Sequence, residues 1–224
     1  MQSLSGRFGF LGYGNMGGAI VSGLLTQQTL QAEQIFVYDP AAERMVAAKE
    51  CGIHCAATPQ ALIAACDTLV LAVKPQALDD ALAPVIDKIP AGIRVISIMA
   101  GISITALQSR FGKEARIIRV MPNTPALVGA GAAALACSDA CSEADAADGC
   151  AVFEAVGTAE IVPESHIDAV TALSGSGPAY FFYLVECLVA AAVAEGLPEE
   201  TAQRLAGQTL MGAGQLLVSS GKRP

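Results

Sequence analysis

The chain has 224 residues, of which 53% are hydrophobic and only 15% are charged, whereas an average globular domain has about 25% charged residues. The formal net charge of −8 argues against binding to the phosphate backbone of nucleic acids, and the high apolar fraction excludes an intrinsically disordered chain. The length suits one large domain or two small ones.

Apolar runs typical of strands alternate with helical patterns in the first part of the chain. A strand at Arg7–Leu11 leads through a glycine-rich turn into a helix from Asn15 to Thr26. Because strands that are buried on both faces and separated by helices form parallel sheets, this part is predicted to be an α/β domain with a doubly wound, mainly parallel sheet. Further strands are expected at Ile35–Tyr38, Ile53–Cys55, Thr68–Val73, Arg94–Met99 and Arg116–Val120, with added edge strands at Gly131–Ala136 and Ala159–Val162, and further helices at Ala41–Glu50, Thr58–Ala65 and Ser142–Ala155.

The pattern changes after Pro163, where the alternation typical of strands stops. Helices are expected from Ser165, through Leu197, and over Glu199–Val218, with Gly196-Leu-Pro198 as a stop and restart signal. We therefore predict an α/β domain over residues 1–163 and an all-helical domain over residues 164–224.

The stretch Ala179–Leu197 is nearly all apolar, but Glu186 and Glu195 interrupt it, and no Lys or Arg lies between Arg119 and Arg204. A membrane span needs ~20 predominantly apolar residues and is usually flanked by cations, so a buried or subunit-contacting helix is the better interpretation. Glycines also break the first apolar run, which is not typical of a signal peptide. We therefore expect a cytoplasmic protein.

The seven cysteines form no Cys-x-x-Cys pair. Cys51, His54 and Cys55 lie close together, as do Cys137 and Cys141, but the spacing is poor for zinc and a fourth ligand is missing. Small, reduced side chains in a reducing compartment are the better interpretation, and no metal site is predicted.

A glycine-rich motif of the form G-x-G-x-x-G follows the first strand and opens the first helix. In that position the first glycine makes the turn, the second lets the backbone approach a pyrophosphate, and the third packs helix on strand. The alternative is a purely structural turn. An acidic residue expected about 20 residues later is present as Asp39 at the end of the second strand. The motif therefore predicts a dinucleotide site whose loop residues are Gly12, Tyr13, Gly14, Asn15, Met16 and Gly17.

The choice between NAD and NADP stays open at this point. Asp39 would accept a hydrogen bond from a ribose 2′-hydroxyl but would repel a 2′-phosphate. Arg44 would accept that phosphate if its side chain folds back, and otherwise it is an ordinary solvated helix residue.

Three further segments fall at carboxyl ends of strands, where an open α/β sheet binds its ligand. They are Ala72–Gln76, Met99–Gly101 and Met121–Pro125. Each is also consistent with an ordinary strand-to-helix turn, but three on one edge favour a ligand crevice.

The segment Ser174–Tyr180, rich in Gly and Ser, lies between two predicted helices. Such a turn exposes backbone N–H groups and forms an anion site without a cation, and residues 120–203 contain no Lys or Arg. The alternative is a flexible kink or close helix packing. Glu164 would orient a positively charged or N–H-bearing substrate atom. The alternative is that its negative charge only interacts favourably with the dipole at the start of a helix.

These residues together resemble the pyrroline-5-carboxylate reductase family. The resemblance implies a Rossmann-type domain followed by a helical dimerisation domain whose helices interlock between subunits. It also implies NAD(P)H-dependent reduction of 1-pyrroline-5-carboxylate to L-proline, the last step of proline biosynthesis, by hydride transfer to the C=N carbon. NADPH is the usual cofactor of the family, with NAD as the alternative. The protein would form a homodimer or a higher oligomer built from dimers, and it would bind neither nucleic acid nor a membrane. The resemblance is carried by Gly12–Gly17, Val73–Pro75, Met121–Gly129, Asp168–Tyr180 and Glu195–Ala213.

The resemblance also assigns site residues. Glu164 would touch the substrate, and Ser174, Gly175, Ser176 and Gly177 would lie beside the pyrroline ring. Thr58 stands where the family often has an Asn that contacts the ribose. No catalytic residue is assigned, since neither His54 nor His166 is placed to donate a proton. The implied cofactor-binding residues are the six loop residues above together with Asp39, Thr58, Val73, Lys74, Pro75, Ala100 and Asn123.

Two other functional classes, a different dehydrogenase and a non-catalytic protein, remain as alternatives. A β-hydroxyacid or related dehydrogenase would combine the same two kinds of domain, but it needs a Lys in the second domain, and residues 120–203 contain none. A nucleotide-sensing module without catalysis is the other. The family resemblance also implies that relatives continue past a segment like Ser220–Pro224 into a loop of the type SPGGTT that binds the substrate carboxylate.

Overall fold

A computed structural model describes residues 3–221 of the chain. By their internal contacts the residues divide into two compact units, one that ends at Gly175 and one that begins at Ser176. The domain boundary predicted between residues 163 and 164 stays a prediction. Residues 222–224, which close the predicted helical domain, lie outside the described residues, as do residues 1 and 2.

The first unit is built on an eight-stranded sheet with the order β3-β2-β1-β4-β5-β6-β7-β8. Every neighbouring pair is parallel except β6 and β7, which are antiparallel. The predicted doubly wound, mainly parallel sheet is therefore confirmed. The strands are β1 Phe8–Leu11, β2 Ile35–Tyr38, β3 His54–Cys55, β4 Thr68–Leu71, β5 Arg94–Ser97, β6 Arg116–Met121, β7 Gly131–Cys137 and β8 Gly157–Ile161.

Seven α-helices accompany this sheet in the described part of the first unit. Two of them, α4 and α5, are not among the helices predicted from the sequence. For α5 the signals were present, because the Ser103 hydroxyl caps its first turn by accepting a hydrogen bond from Ala106 N at 3.1 Å and Gly112 ends it with φ +86°. The helices are α1 Asn15–Thr26, α2 Ala42–Glu50, α3 Pro59–Ala65, α4 Leu78–Leu82, α5 Ile104–Phe111, α6 Glu143–Glu154 and α7 Ile167–Val170.

Some elements differ from their predicted limits. Strand β4 ends two residues before the predicted Val73, because the chain leaves the sheet ahead of a 3₁₀ turn that starts at Pro75. Residues 171–175 form a π-helical turn directly after α7, where a Gly- and Ser-rich turn between helices was expected.

The sheet is buried on both faces. Phe8 and Phe10 of β1 belong to one core cluster, which also includes residues of α1 and α6, whereas Leu11 belongs to a second cluster that includes Leu107 of α5 and Ile167 of α7. Burial on both faces explains why these strands are nearly continuous apolar runs in the sequence.

A group of buried charges lies at the amino edge of β5 and β6. The Arg94 guanidinium contacts Asp148 at 2.5 Å and Asp145 at 3.4 Å, and Arg116 donates to Asp145 at 2.8 Å. The Ser142 hydroxyl donates to Asp145 at 2.7 Å as part of the cap of α6. Burial raises the pKa of Asp145, but the hydrogen bonds from Ser142 and the charges of Arg116 and Arg94 outweigh it and hold the pKa below its usual range.

The second unit consists of two helices, α8 over Gly177–Ala194 and α9 over Glu199–Ser220. Gly196 between them has φ +95°, which agrees with the predicted stop and restart. An open groove of about 700 Å³ lies between the two helices. In this unit the two helices expose a large number of apolar side chains: Tyr180, Phe181, Phe182, Tyr183, Leu184, Leu188, Val193, Leu205, Met211, Leu216, Leu217 and Val218.

The helical run Glu164–Ala194 is long and apolar enough to cross a membrane by length and composition, with 11% of its most apolar 18-residue window buried. A single helix of this kind is weak evidence for a membrane span.

Asp145 is expected to be the most sensitive charge at the amino edge. Asp145→Asn removes the carboxylate that is shared by the buried Arg94 and the partly exposed Arg116, so it should lower the free energy of unfolding by about 3–5 kcal/mol at pH 7. Because the pKa of Asp145 is lower in the folded than in the unfolded state, its stabilisation is present above the unfolded value of about 3.9 and is lost as the pH falls through the folded pKa. Urea unfolding across pH would measure this.

The matched control is Glu143→Gln on the exposed side of the same helix turn, which should change stability by no more than about 0.5 kcal/mol. Equal effects of the two substitutions would contradict the role given to Asp145.

Candidate active site

The glycine turn between β1 and α1 is packed too tightly for side chains. Gly12 has φ +98°, and a Cβ there would lie 2.6 Å from the Ala72 carbonyl oxygen at the end of β4. A Cβ on Gly17 would lie 2.8 Å from the carbonyl oxygen of Gly12. The first glycine thus permits the turn, and the third permits the close packing of α1, as the motif predicts.

The same turn presents the start of α1 as an anion site. Gly14 is the N-cap residue, and among the described residues no side chain caps this end of the helix. The first N–H groups of a helix have no partner within the helix, and the helix dipole adds positive potential there. Asn15, Met16 and Gly17, the first helical residues, therefore fit a bound pyrophosphate.

Asp39 lies directly beside this turn. One of its carboxylate oxygens accepts a hydrogen bond from Tyr13 N at 2.8 Å, and the other accepts one from Ala41 N at 2.9 Å. The carboxylate thus joins the glycine turn to the start of α2. Burial, with a further contribution from Cys51, raises the pKa of the neighbouring Tyr13 phenol to about 12, so that phenol is neutral at physiological pH.

The Arg44 side chain folds back from α2 onto the glycine turn. A Cβ on Gly14 would lie 2.6 Å from Nη1 of Arg44. Of the two alternatives left open by the sequence, the structure favours the one in which this cation faces the dinucleotide loop.

The remaining predicted cofactor residues lie at the same edge of the sheet. The parallel register pairs Leu11 with Leu71 and Leu71 with Ser97, so the turns that follow these strands come together. Lys74 and Ala100, in the turns after β4 and β5, are both exposed, and Val73 and Pro75, also in the turn after β4, are partly exposed. Thr58 is exposed after β3, where its hydroxyl caps α3 by accepting a hydrogen bond from Ala61 N at 3.1 Å.

Asn123 connects a predicted cofactor segment to a predicted substrate segment. Its side-chain Nδ2 donates to the Ser174 carbonyl at 3.0 Å, and its Oδ1 accepts from Ala132 N at 2.8 Å. A Cβ on Gly175 would lie 3.4 Å from the sulfur of Met121. The structure therefore brings Ser174 and Gly175 against the Met121–Pro125 segment. Ser176 and Gly177 belong to the second unit.

Glu164 makes a contact that the sequence analysis did not foresee. Its Oε1 accepts hydrogen bonds from Nη1 of Arg119 at 3.0 Å and from Ile104 N at 2.7 Å. Arg119 lies on β6 and is only 8% exposed. Asp168 lies 3.9 Å from the same guanidinium. Glu164 thus satisfies the first N–H of α5 as well as a buried cation.

The sequence did contain a signal for Arg119. It is a lone charge inside the apolar run Ile117–Met121, and charged residues are almost never fully buried unless they are paired. Among the described residues, no cluster of His, Cys, Asp and Glu could hold a metal ion.

Two family models match the two parts of the chain. Residues 7–101 match a family of coenzyme F420-dependent NADP oxidoreductases, and residues 164–224 match the dimerisation family of pyrroline-5-carboxylate reductase. The pyrroline-5-carboxylate reductase of Escherichia coli is 35% identical over 97% of this chain and 81% of its own length, and that of Synechocystis is 40% identical over 99% of this chain and 82% of its own length. The chain belongs to the pyrroline-5-carboxylate reductase family.

Solved structures of pyrroline-5-carboxylate reductases have the same fold. The enzyme from Coxiella burnetii superposes with a TM-score of 0.91 at 32% identity, covering 98% of this chain and 82% of its own. The Plasmodium falciparum enzyme, solved with NADP bound, gives 0.84 at 30% identity over 98% of this chain and 81% of its own. A Rossmann-type domain followed by a helical dimerisation domain, as expected, is therefore confirmed.

The glycine turn gives a test of how this member of the family forms its nucleotide site. Gly12→Ala forces a Cβ onto the Ala72 carbonyl at a positive φ, so it should lower the melting temperature and weaken the affinity for NADPH by at least about tenfold. Thermal unfolding and a fluorescence titration with NADPH would measure the two effects.

Gly18→Ala is the matched control, because Gly18 lies within α1 and its Cβ would meet no atom closer than 4.0 Å. That substitution should be neutral or stabilising by about 0.4–1 kcal/mol. Unchanged NADPH affinity in Gly12→Ala would contradict the account of the turn.

Proposed function

We propose that this protein reduces 1-pyrroline-5-carboxylate to L-proline with NADPH, as the last step of proline biosynthesis. The observation that carries the proposal is the Asn123 side chain, which bonds a strand end of the nucleotide-binding sheet directly to Ser174 of the substrate segment. A hydride donor and an imine must be held within a few ångströms of each other, and alignment of this kind contributes about 7–11 kcal/mol to catalysis.

The residues of the first unit fit a bound dinucleotide. Gly12–Gly17 would hold the pyrophosphate on backbone N–H groups, and Asp39 and Thr58 would lie near the adenosine ribose. Val73, Lys74, Pro75, Ala100 and Asn123 would line the crevice towards the nicotinamide. When bound, NADPH supplies a hydride from C4 of its nicotinamide.

Arg44 supports NADPH over NADH. Its guanidinium lies against the glycine turn, where it would neutralise a 2′-phosphate on the ribose. Both oxygens of Asp39 accept backbone N–H groups, which offsets part of the repulsion between this carboxylate and a phosphate.

The substrate would be held by donors and a carboxylate rather than by a free cation. Ser174, Gly175, Ser176 and Gly177 would lie beside the pyrroline ring, and Glu164 would accept a hydrogen bond from the imine N–H of the substrate. A protonated imine already carries the proton of the product amine, so hydride transfer needs no separate proton donor, and we assign none.

The exposed apolar faces of α8 and α9 support assembly into homodimers. A contiguous apolar surface of this kind on a non-membrane protein marks an interaction site, and the family model matched over residues 164–224 is a dimerisation domain. We accordingly divide the protein into a nucleotide-binding part over residues 1–163 and a substrate-binding and dimerisation part over residues 164–224, working in the cytoplasm.

The function is tested by steady-state kinetics of the full-length protein with NADPH and 1-pyrroline-5-carboxylate. Imine-dependent oxidation of NADPH is expected, and Glu164→Gln should raise the KM for the imine by about tenfold, equivalent to ~1.4 kcal/mol, while the KM for NADPH stays within about twofold. Absence of imine-dependent NADPH oxidation would favour a nucleotide sensor, and equal effects on both KM values would contradict the role of Glu164.

Cofactor preference is tested by Arg44→Met. Loss of the guanidinium should lower kcat/KM with NADPH by about tenfold and leave kcat/KM with NADH within about twofold, because only NADPH carries the 2′-phosphate. Lys49→Met, which removes an exposed charge from the last turn of the same helix, is the control and should change neither value. A parallel loss with both cofactors would rule out phosphate recognition by Arg44.

A further inference from the structure

Arg119 is a buried cation whose position needs an explanation. It lies on β6 between Ile118 and Val120, and its side chain is only 9% exposed. Burying a charge without a partner costs several kcal/mol. The guanidinium is compensated through Nη1 by Glu164 at 3.0 Å and through Nη2 by Asp168 at 3.9 Å.

We propose that Arg119 is a positioning residue for the substrate, which holds Glu164 so that the second oxygen of its carboxylate, Oε2, is presented to the imine N–H. The proposal rests on the function proposed above for Glu164.

The two carboxylate oxygens of Glu164 differ in their hydrogen bonds. Oε1 receives both donors, Nη1 of Arg119 from β6 and the backbone N–H of Ile104 from α5. Donors from two separate elements fix both the position and the rotation of the carboxylate, whereas a free glutamate side chain would sample many rotamers. The side chain is still 32% exposed, and among the described residues Oε2 has no hydrogen-bond partner. Oε2 is therefore the oxygen left for a ligand.

The residues that hold the Glu164 carboxylate, Ile104 and Arg119, are close in sequence to the predicted cofactor segments. Ile104 follows the Met99–Gly101 segment, and Arg119 precedes the Met121–Pro125 segment by two residues. In the strand register Arg119 pairs with Ser97 at the carboxyl end of β5. The Met121 sulfur in turn lies close to Gly175 of the substrate segment, 3.4 Å from where a Cβ on that glycine would be. Arg119 thus acts from the point where the cofactor and substrate segments meet.

The local charge suits a donor ligand. One guanidinium faces two carboxylates, of Glu164 and of Asp168, and Asp168 is 98% exposed. The net charge of this group is negative, which favours a protonated imine before the reaction and the ammonium of L-proline after it.

A double-mutant cycle separates positioning from a merely structural ion pair. The variants are Arg119→Met, Arg119→Lys, Glu164→Gln and the double variant of Arg119→Met with Glu164→Gln. Steady-state kinetics give the KM for the imine substrate and the KM for NADPH, and calorimetry in the presence of NADP⁺ gives the Kd for L-proline.

Arg119→Met should raise the KM for the imine and the Kd for L-proline by about tenfold and leave the KM for NADPH within about twofold. In the Glu164→Gln background the same substitution should change the imine KM and the L-proline Kd by less than about twofold, because the carboxylate that Arg119 positions is already absent.

Arg119→Lys keeps the charge and should recover most of the imine affinity. Arg110→Met is the matched control, because Arg110 of α5 pairs with Asp79 at 2.7 Å and makes no contact with Glu164. It should leave both substrate constants unchanged. If thermal unfolding shows that Arg119→Met does not fold, the cycle is run with Arg119→Lys instead. Lysine cannot reproduce the geometry of the planar guanidinium. Arg119→Lys should therefore still weaken imine affinity more in the native background than in the Glu164→Gln background.

Additive effects in the two backgrounds, or an imine KM and an L-proline Kd that are unchanged in Arg119→Met, would overturn the proposal. Failure of the proposed function is distinguishable, because then the unsubstituted protein shows neither imine-dependent NADPH oxidation nor L-proline binding, or Glu164→Gln alone leaves the imine KM unchanged.

Discussion

The nucleotide site depends on one close approach in the backbone. The turn after β1 passes so near to the end of β4 that a Cβ on Gly12 would lie 2.6 Å from the Ala72 carbonyl. Because this turn is so tight, α1 begins at Asn15 with its free N–H groups at the carboxyl edge of the sheet. Asp39 and Arg44 then face the same turn from the next strand and helix. The free N–H groups of a helix, a carboxylate and a guanidinium thus meet at one turn because of a single packing constraint.

Two groups of paired charges lie at opposite edges of the sheet. At the amino edge Arg94 and Arg116 converge on Asp145 and the cap of α6, which joins the strands to the helix behind them and contributes stability. At the carboxyl edge Glu164 accepts hydrogen bonds from Arg119 and from the first N–H of α5, and these two donors order its carboxylate.

Much of the fold could be predicted from the sequence, and the reasons are local. The strands of the parallel sheet are continuous apolar runs, and G-x-G-x-x-G after the first of them predicts both the turn and the nucleotide site. Helix α5 could have been predicted from Ser103 and Gly112, which mark its two ends. The partners of Glu164 could not, because Arg119 is 45 residues away along the chain and their contact depends on how β6, α5 and the start of the helical segment pack. For the same reason the π-helical turn at residues 171–175, with its bond from Asn123, looked in the sequence like an ordinary Gly- and Ser-rich turn.

The central claim is that this sheet edge transfers a hydride from NADPH to the C=N carbon of a cyclic imine. The most direct measurement uses NADPH carrying deuterium at both C4 positions of its nicotinamide, with 1-pyrroline-5-carboxylate as acceptor, and locates the label in the product by mass spectrometry and NMR. We predict L-proline with one deuterium, on the ring carbon that is bonded to nitrogen and does not carry the carboxylate. Unlabelled proline, or consumption of NADPH without proline, would contradict the account.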